Sequence, residues 1–153
     1  MAAIRVQTED FDAGLEIRKV CDGNAKIGAV ASFVGLVRDI NDGSVVAGMT
    51  LEHYPGMTDK ALEAIVEEAK GRWEILDCTV IHRVGMLMPT DQIVLVIVAS
   101  SHRGHAFEAC EFIMDYLKTR APFWKKEQTA SGERWVEARE GDDAAASRWQ
   151  PRS

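Results

Sequence analysis

IVLVIVASSHRGHAFEACEFIMDYLKTRAPFWKKEQ, residues 93–128, changes its periodicity twice. It opens with an unbroken apolar run from Ile93 to Ala99, the pattern of a strand covered on both faces. From Ala106 the spacing turns helical: Ala106, Phe107, Cys110, Ile113, Met114 and Leu117 predict one apolar stripe over three turns. Pro122 has no N–H to continue a helix and ends it. Phe123 to Gln128 then reads as a strand, forming a hairpin with Arg134 to Glu137 around the Ser131-Gly132 turn. Strand, helix and hairpin in that order point to an α+β fold rather than a doubly wound one.

The flanking sequence extends this reading. Ile4 to Gln7 is a short strand, Phe11 to Cys21 a helix and DGNAK (22–26) a turn. IGAVASFVGLVR (27–38) is apolar on both alternating faces, which predicts a buried strand. RDINDGS (38–44) carries the Asp-Gly of a hairpin, and Val45 to Tyr54 follows as a strand stopped by Pro55-Gly56. Leu62, Ile65, Val66 and Ala69 mark a second amphipathic helix, with Thr58 as its expected N-cap. Ile75 to Val84 and Asp91 to Ser100 are strands joined around Met88-Pro89. The sheet is expected to be largely antiparallel. Residues 1–140 are expected to form one domain, with 141–153 a tail holding one helical turn before it frays.

The 153 residues, 46% of them hydrophobic, suit a single core. A net charge of −6 argues against a nucleic-acid or anionic-membrane surface. MAAIRVQTEDFD (1–12) lacks the apolar segment of a signal peptide, and no apolar run is long enough to cross a bilayer. Cys21, Cys78 and Cys110 are odd in number and widely spaced, as expected of reduced thiols in the cytoplasm.

Against this acidic background, residues 114–127 gather Lys118, Arg120, Lys125 and Lys126 around Pro122, Phe123 and Trp124. A partly buried lysine among cations and apolar walls has its pKa lowered, which suits a base or nucleophile. The alternative is a lysine at the negative end of a helix dipole followed by a charged edge strand. Ser100-Ser101-His102-Arg103 opens a helix, where free backbone N–H groups attract anions; the plainer reading is capping by Ser101. Arg38, at the tip of an apolar strand, either enters a pocket mouth or stands solvated beside Asp39. His53 and His82 read as satisfied strand histidines. His102 and His105 lack a third metal ligand, and Cys110 falls on the apolar stripe. GNAKIGA is not a phosphate-binding P-loop, and neither GxGxxG nor GxSxG occurs.

LEHYPGMTDKAL (51–62), IHRVG (81–85), SSHRGHAFEACEFIMDYLKTRAPFWKKE (100–127) and RWVEARE (134–140), together with FVGLVR (33–38), resemble the large, catalytic subunits of molybdopterin synthase. The resemblance runs from about Ile27 to Glu140. It implies an α/β-hammerhead with an additional small antiparallel sheet, and a homodimer. Each copy would bind a small ubiquitin-like sulfur carrier, giving a heterotetramer, and the carrier's C-terminal glycine bears a thiocarboxylate. The implied reaction moves two sulfurs onto cyclic pyranopterin monophosphate, with no cofactor and no metal. By position, the resemblance implies catalytic roles for Lys118 and Lys125, and substrate contacts for Leu36, Val37, Arg38, His102, Arg103, Lys126 and Glu127 as well as for the two lysines. A module that only holds a carrier tail is the alternative. A phosphate-ester hydrolase would need a metal cluster or activated nucleophile that the sequence does not offer.

Overall fold

A computed structural model describes residues 2–41, 43–129, 132–136 and 140–150. In chain order the elements are β1 (Ala2–Gln7), α1 (Ala13–Cys21), β2 (Ala29–Leu36), β3 (Ile40–Asn41), β4 (Ser44–His53), α2 (Met57–Arg72), β5 (Asp77–Arg83), β6 (Gly85–Leu87), β7 (Gln92–Ser100), α3 (Arg103–Arg120), β8 (Phe123–Thr129), β9 (Gly132–Val136) and α4 (Glu140–Ser147).

The first sheet has the order β1-β5-β7-β2, with β1 parallel to β5 and the other pairs antiparallel. β5 and β7 lie at its centre. Val80, Ile81, Leu95, Val96, Ile97 and Val98 are fully buried, which is why β7 reads as a continuous apolar run. One face is covered by α2 and α3, through Leu62, Ile65 and Val66 and through Ala109, Phe112, Ile113 and Leu117. The other face is covered by α1 through Val20 and Ile17.

The second sheet is built on β4. It pairs with β3 and β6 at one edge and with β8 at the other, and β9 closes the far side. The Asp-Gly hairpin between β3 and β4 has Gly43 at φ 76°, a left-handed conformation that glycine adopts without penalty. Met49, Leu51 and Leu87 line the inner face and pack with Val37 and Val84. The fold is thus α+β, an α/β-hammerhead with a small additional antiparallel sheet.

Several elements differ from the sequence reading. β2 is an edge strand: Phe33 and Leu36 are 41% and 51% exposed, because apolar content does not distinguish a covered strand from one at a sheet's border. Gly56 at φ 84°, not Thr58, is the N-cap of α2. Thr58 is fully buried in the first turn; its Oγ1 accepts from the Tyr54 N–H (3.2 Å) and donates to the Pro122 carbonyl (3.2 Å). Phe107 leaves the apolar stripe of α3 and is 64% exposed, while Phe112 and Tyr116 are buried instead. Near the C-terminus α4 runs eight residues rather than one turn. Trp149 packs edge-on against Trp73 and Phe112 and donates from Nε1 to Asp115 (2.7 Å), so the chain is tied down there. Of the expected final hairpin, Ser131 and Glu137 lie outside the described residues.

Candidate active site

Sheet register sorts the candidate residues by end. β7 runs antiparallel to both neighbours, with Ala29 opposite Ser100, Leu36 opposite Gln92 and His82 opposite Val94. The His82 end of β5 therefore lies at the same end of the sheet as Arg38. α3 follows Ser100 and packs on β7 and β2, so it returns Lys118 toward that end. His102 and Arg103 sit at the opposite end. Seven residue steps of β2 separate the two ends, roughly 23 Å at about 3.3 Å per residue.

The lysine end is assembled by three local devices. α3 carries Lys118 and Arg120 in its last turn, where cations meet unpaired carbonyls of the helix terminus. Pro122 stops the helix, and its carbonyl is fixed by Thr58. β8 then begins at once, with strand alternation deciding which side chains turn inward. Phe123, Lys125 and Glu127 lie opposite His53, Leu51 and Met49, on the inner face. Lys126 lies opposite Thr50 and Trp135, on the outer face. The adjacent lysines are thus separated by the sheet. Lys126 forms an ion pair with Glu133 (2.8 Å) and stands 5.3 Å from the Trp135 ring centre; the Glu133 hydrogen bond holds its pKa above that of an ordinary lysine. Glu127 is buried on the inner face.

His82 lies against the start of β8. It is 4% exposed and stacks on Phe123 with ring centres 3.8 Å apart and planes at 19°. Its Nδ1 lies 2.8 Å from the Arg83 carbonyl oxygen. A carbonyl only accepts, so Nδ1 carries the proton and Nε2 the lone pair. Burial pushes this imidazole down to about 3; the charges of Lys125, Lys118 and His53 push the same way, against the bond to Arg83. Lys125 lies two residues beyond Phe123 on the same face of β8, beside this stack. Sequence reasoning gave His82 a structural role only. The available signal was a histidine inside the otherwise apolar stretch CTVIH.

Arg38 is exposed and follows the buried Val37. Val37 donates to the Asp91 carbonyl (2.9 Å) and accepts from the Thr90 N–H (2.8 Å), which fixes the base of the arginine. Val37, Arg38, Asp39, Pro89 and Thr90 line an open cleft of about 470 Å³. Leu36, which precedes Val37, is an exposed apolar side chain.

At the other end His102 is the N-cap residue of α3, and no side chain caps that terminus. Ser101, the expected cap, bonds through Oγ and N–H to the Glu74 carboxylate instead; Ser100 Oγ joins them at 3.1 Å. These bonds, the Ser101 hydroxyl first, hold Glu74 below the usual carboxylate pKa. His105 Nδ1 accepts from the Glu74 N–H (3.1 Å). Among the described residues, no cluster of three His, Cys, Asp or Glu side chains could hold a metal ion.

Comparison with known proteins gives the family. The family described as MoaE protein matches residues 6–120. The molybdopterin synthase catalytic subunit of Ralstonia nicotianae is 66% identical over 97% of this chain and 85% of its own length. That of Pseudomonas aeruginosa is 60% identical, over 97% and 99%. Among solved structures, the molybdopterin biosynthesis MoaE protein from Burkholderia ambifaria superposes with a TM-score of 0.84 at 60% identity, covering 97% of this chain and 98% of that one. Molybdopterin synthase from Staphylococcus aureus gives 0.80 at 30% identity, covering 86% and 95%. The chain belongs to the MoaE family, the catalytic subunits of molybdopterin synthase.

Proposed function

We propose that this enzyme moves two sulfurs from the thiocarboxylated C-terminal glycine of a small ubiquitin-like carrier onto cyclic pyranopterin monophosphate, with Lys118 and Lys125 as its catalytic side chains. The observation that carries this reading is topological: the end of α3 that bears Lys118, the inner face of β8 that bears Lys125, and Arg38 lie at one end of the sheet. Positive charge in a chain of net charge −6 suits an anionic substrate and an anionic sulfur donor. Arg38 would hold the phosphate, as guanidinium groups do with paired donors. The carrier sulfur forms a bond to an oxygen-bearing side-chain carbon of the pterin as the C–O bond there breaks and the oxygen leaves; water then cleaves the acyl C–S bond, so the sulfur stays on the pterin and the carrier departs as a carboxylate. The lysines stabilise the negative charge that develops, or move protons, in a cleft walled by Phe123. Lys126 and Glu127 are assigned to the same site by position in the sequence, with Glu127 buried on the inner face of β8 and Lys126 on its outer face. The relatives' designation as catalytic subunits supports a second, smaller subunit as partner. Buried free thiols at Cys78 and Cys110 suit the cytoplasm.

His102 and Arg103 belong to this site only if a second copy supplies them. Arg103 and Lys118 are about 22 Å apart along α3 at 1.5 Å per residue, too far for one small ligand. A two-fold dimer resolves this by joining the Arg103 end of one chain to the lysine end of the other. The half-exposed Phe33 and Leu36 on the border strand β2 are apolar surface that such a contact would cover. With two carriers the assembly is a heterotetramer. The test is reconstitution: the purified chain, thiocarboxylated carrier and cyclic pyranopterin monophosphate should yield a dithiolene product. Folded protein that yields none refutes the reading.

A further inference from the structure

We infer that Glu74 is a positioning residue: its carboxylate binds Ser100 and Ser101 and its backbone N–H binds His105, so that the turn between them presents His102 and Arg103 outward in one fixed arrangement. The inference rests on the reading of His102 and Arg103 as substrate contacts.

Glu74 stands on the short link between α2 and β5, and its side chain is exposed. Three donors converge on its Oε1: the Ser100 hydroxyl (3.1 Å), the Ser101 N–H (3.1 Å) and the Ser101 hydroxyl. Its own N–H donates to Nδ1 of His105 (3.1 Å), in the first turn of α3. One residue thus holds the chain on both sides of His102 and Arg103. From another direction Gly28 closes the same turn. Its N–H donates to the Ser100 carbonyl (3.0 Å), and a Cβ there would stand 2.2 Å from the Ser101 carbonyl oxygen. Between these restraints His102 and Arg103 are exposed, and no side chain caps the helix they open. The Glu74 carboxylate is engaged by serine donors, so it orders the turn without pairing with the guanidinium. A backbone ordered before the ligand arrives lowers the entropy lost on binding. A carboxylate that served the fold alone would leave substrate affinity untouched when removed.

Binding and turnover measured separately test this. Cyclic pyranopterin monophosphate is titrated calorimetrically into the assembled protein, with carrier that lacks its thiocarboxylate sulfur so that no turnover occurs. Because Glu74 is exposed, Glu74→Ala removes the carboxylate at little cost in packing. It should weaken pterin binding about fivefold or more, with kcat at saturating substrate and carrier affinity within about twofold, since a loosened anion contact is lost before and during reaction alike. Glu74→Gln keeps an acceptor for the serine donors and should recover most of the lost affinity. In a His102→Ala/Arg103→Ala background, Glu74→Ala should weaken binding no further, because it acts only through those two side chains. Amide hydrogen exchange at residues 101–105 should quicken in Glu74→Ala while that of β7 stays unchanged. Unaltered pterin affinity in Glu74→Ala, or a full additional loss in the double-variant background, would overturn the positioning role. The background also separates the two claims. If His102→Ala/Arg103→Ala binds the pterin as the parent does, the substrate reading of His102 and Arg103 fails; if it binds weakly while Glu74→Ala binds normally, only the positioning role fails.

Discussion

On the proposed reading Lys118 and Arg38 do different work, although both are exposed cations at the same end of the sheet. Lys118 stands at a helix end, so truncating it removes little packing. Lys118→Ala should keep the thermal midpoint of the parent and lose about a hundredfold in kcat, roughly 3 kcal/mol of transition-state stabilisation. Arg38→Ala should chiefly raise the KM for the pterin, because a phosphate contact exists before and during reaction. Steady-state kinetics with saturating carrier separate the two, and equal effects on kcat would contradict the division. His82 makes a third prediction, about stability. Its unfolded pKa is near 6.5 and its folded pKa about 3, so between these values the unfolded chain binds more protons. Its contribution is therefore complete above about pH 6.5 and is lost as pH falls. Asp10, Glu16 and Glu74 have lowered pKa values, so their contributions also fail on acidification, but only below the usual carboxylate range near 4.5. From pH 6.5 to 5 the parent should lose about 2 kcal/mol more than His82→Phe in urea unfolding. Parallel pH slopes would contradict this.

At the scale of elements, the site depends on how β4, α2, α3 and β8 are tied together. Thr58 makes that tie, because one buried hydroxyl joins the Tyr54 N–H after β4 to the Pro122 carbonyl before β8. Thr58→Val keeps the shape and strands both partners, which should cost about 2 kcal/mol in chemical denaturation. A loss below about 0.5 kcal/mol would show the tie to be incidental. This element-level detail is also where sequence reading stops. β7 and α3 were legible because their neighbours bury them in the period their backbones impose. β2 was not: its apolar faces look the same at a sheet's centre or border, and only long-range pairing with β7 decides. Thr58 resembled a cap because polar residues before an apolar stripe usually are, yet Gly56 takes the left-handed turn. Lys125 and Lys126 read as one cationic cluster, although strand alternation alone was enough to part them.

The whole molecule poses the sharpest question, since its fold holds two cationic ends about 22 Å apart by the length of α3. On the proposed reading these ends meet across a two-fold axis, with His102 and Arg103 of one chain completing the lysine pocket of its partner. Subunit complementation tests it. Lys118→Ala and Arg103→Ala are prepared as separate, inactive proteins, then mixed under conditions that exchange subunits, with exchange followed by mass spectrometry. In a mixed dimer one site carries both defects and the other neither. Random exchange makes half the dimers mixed, so activity should recover to about a quarter of the parental level. Were both residues drawn from the same chain, every site would keep one defect. No recovery after confirmed exchange would contradict the shared site.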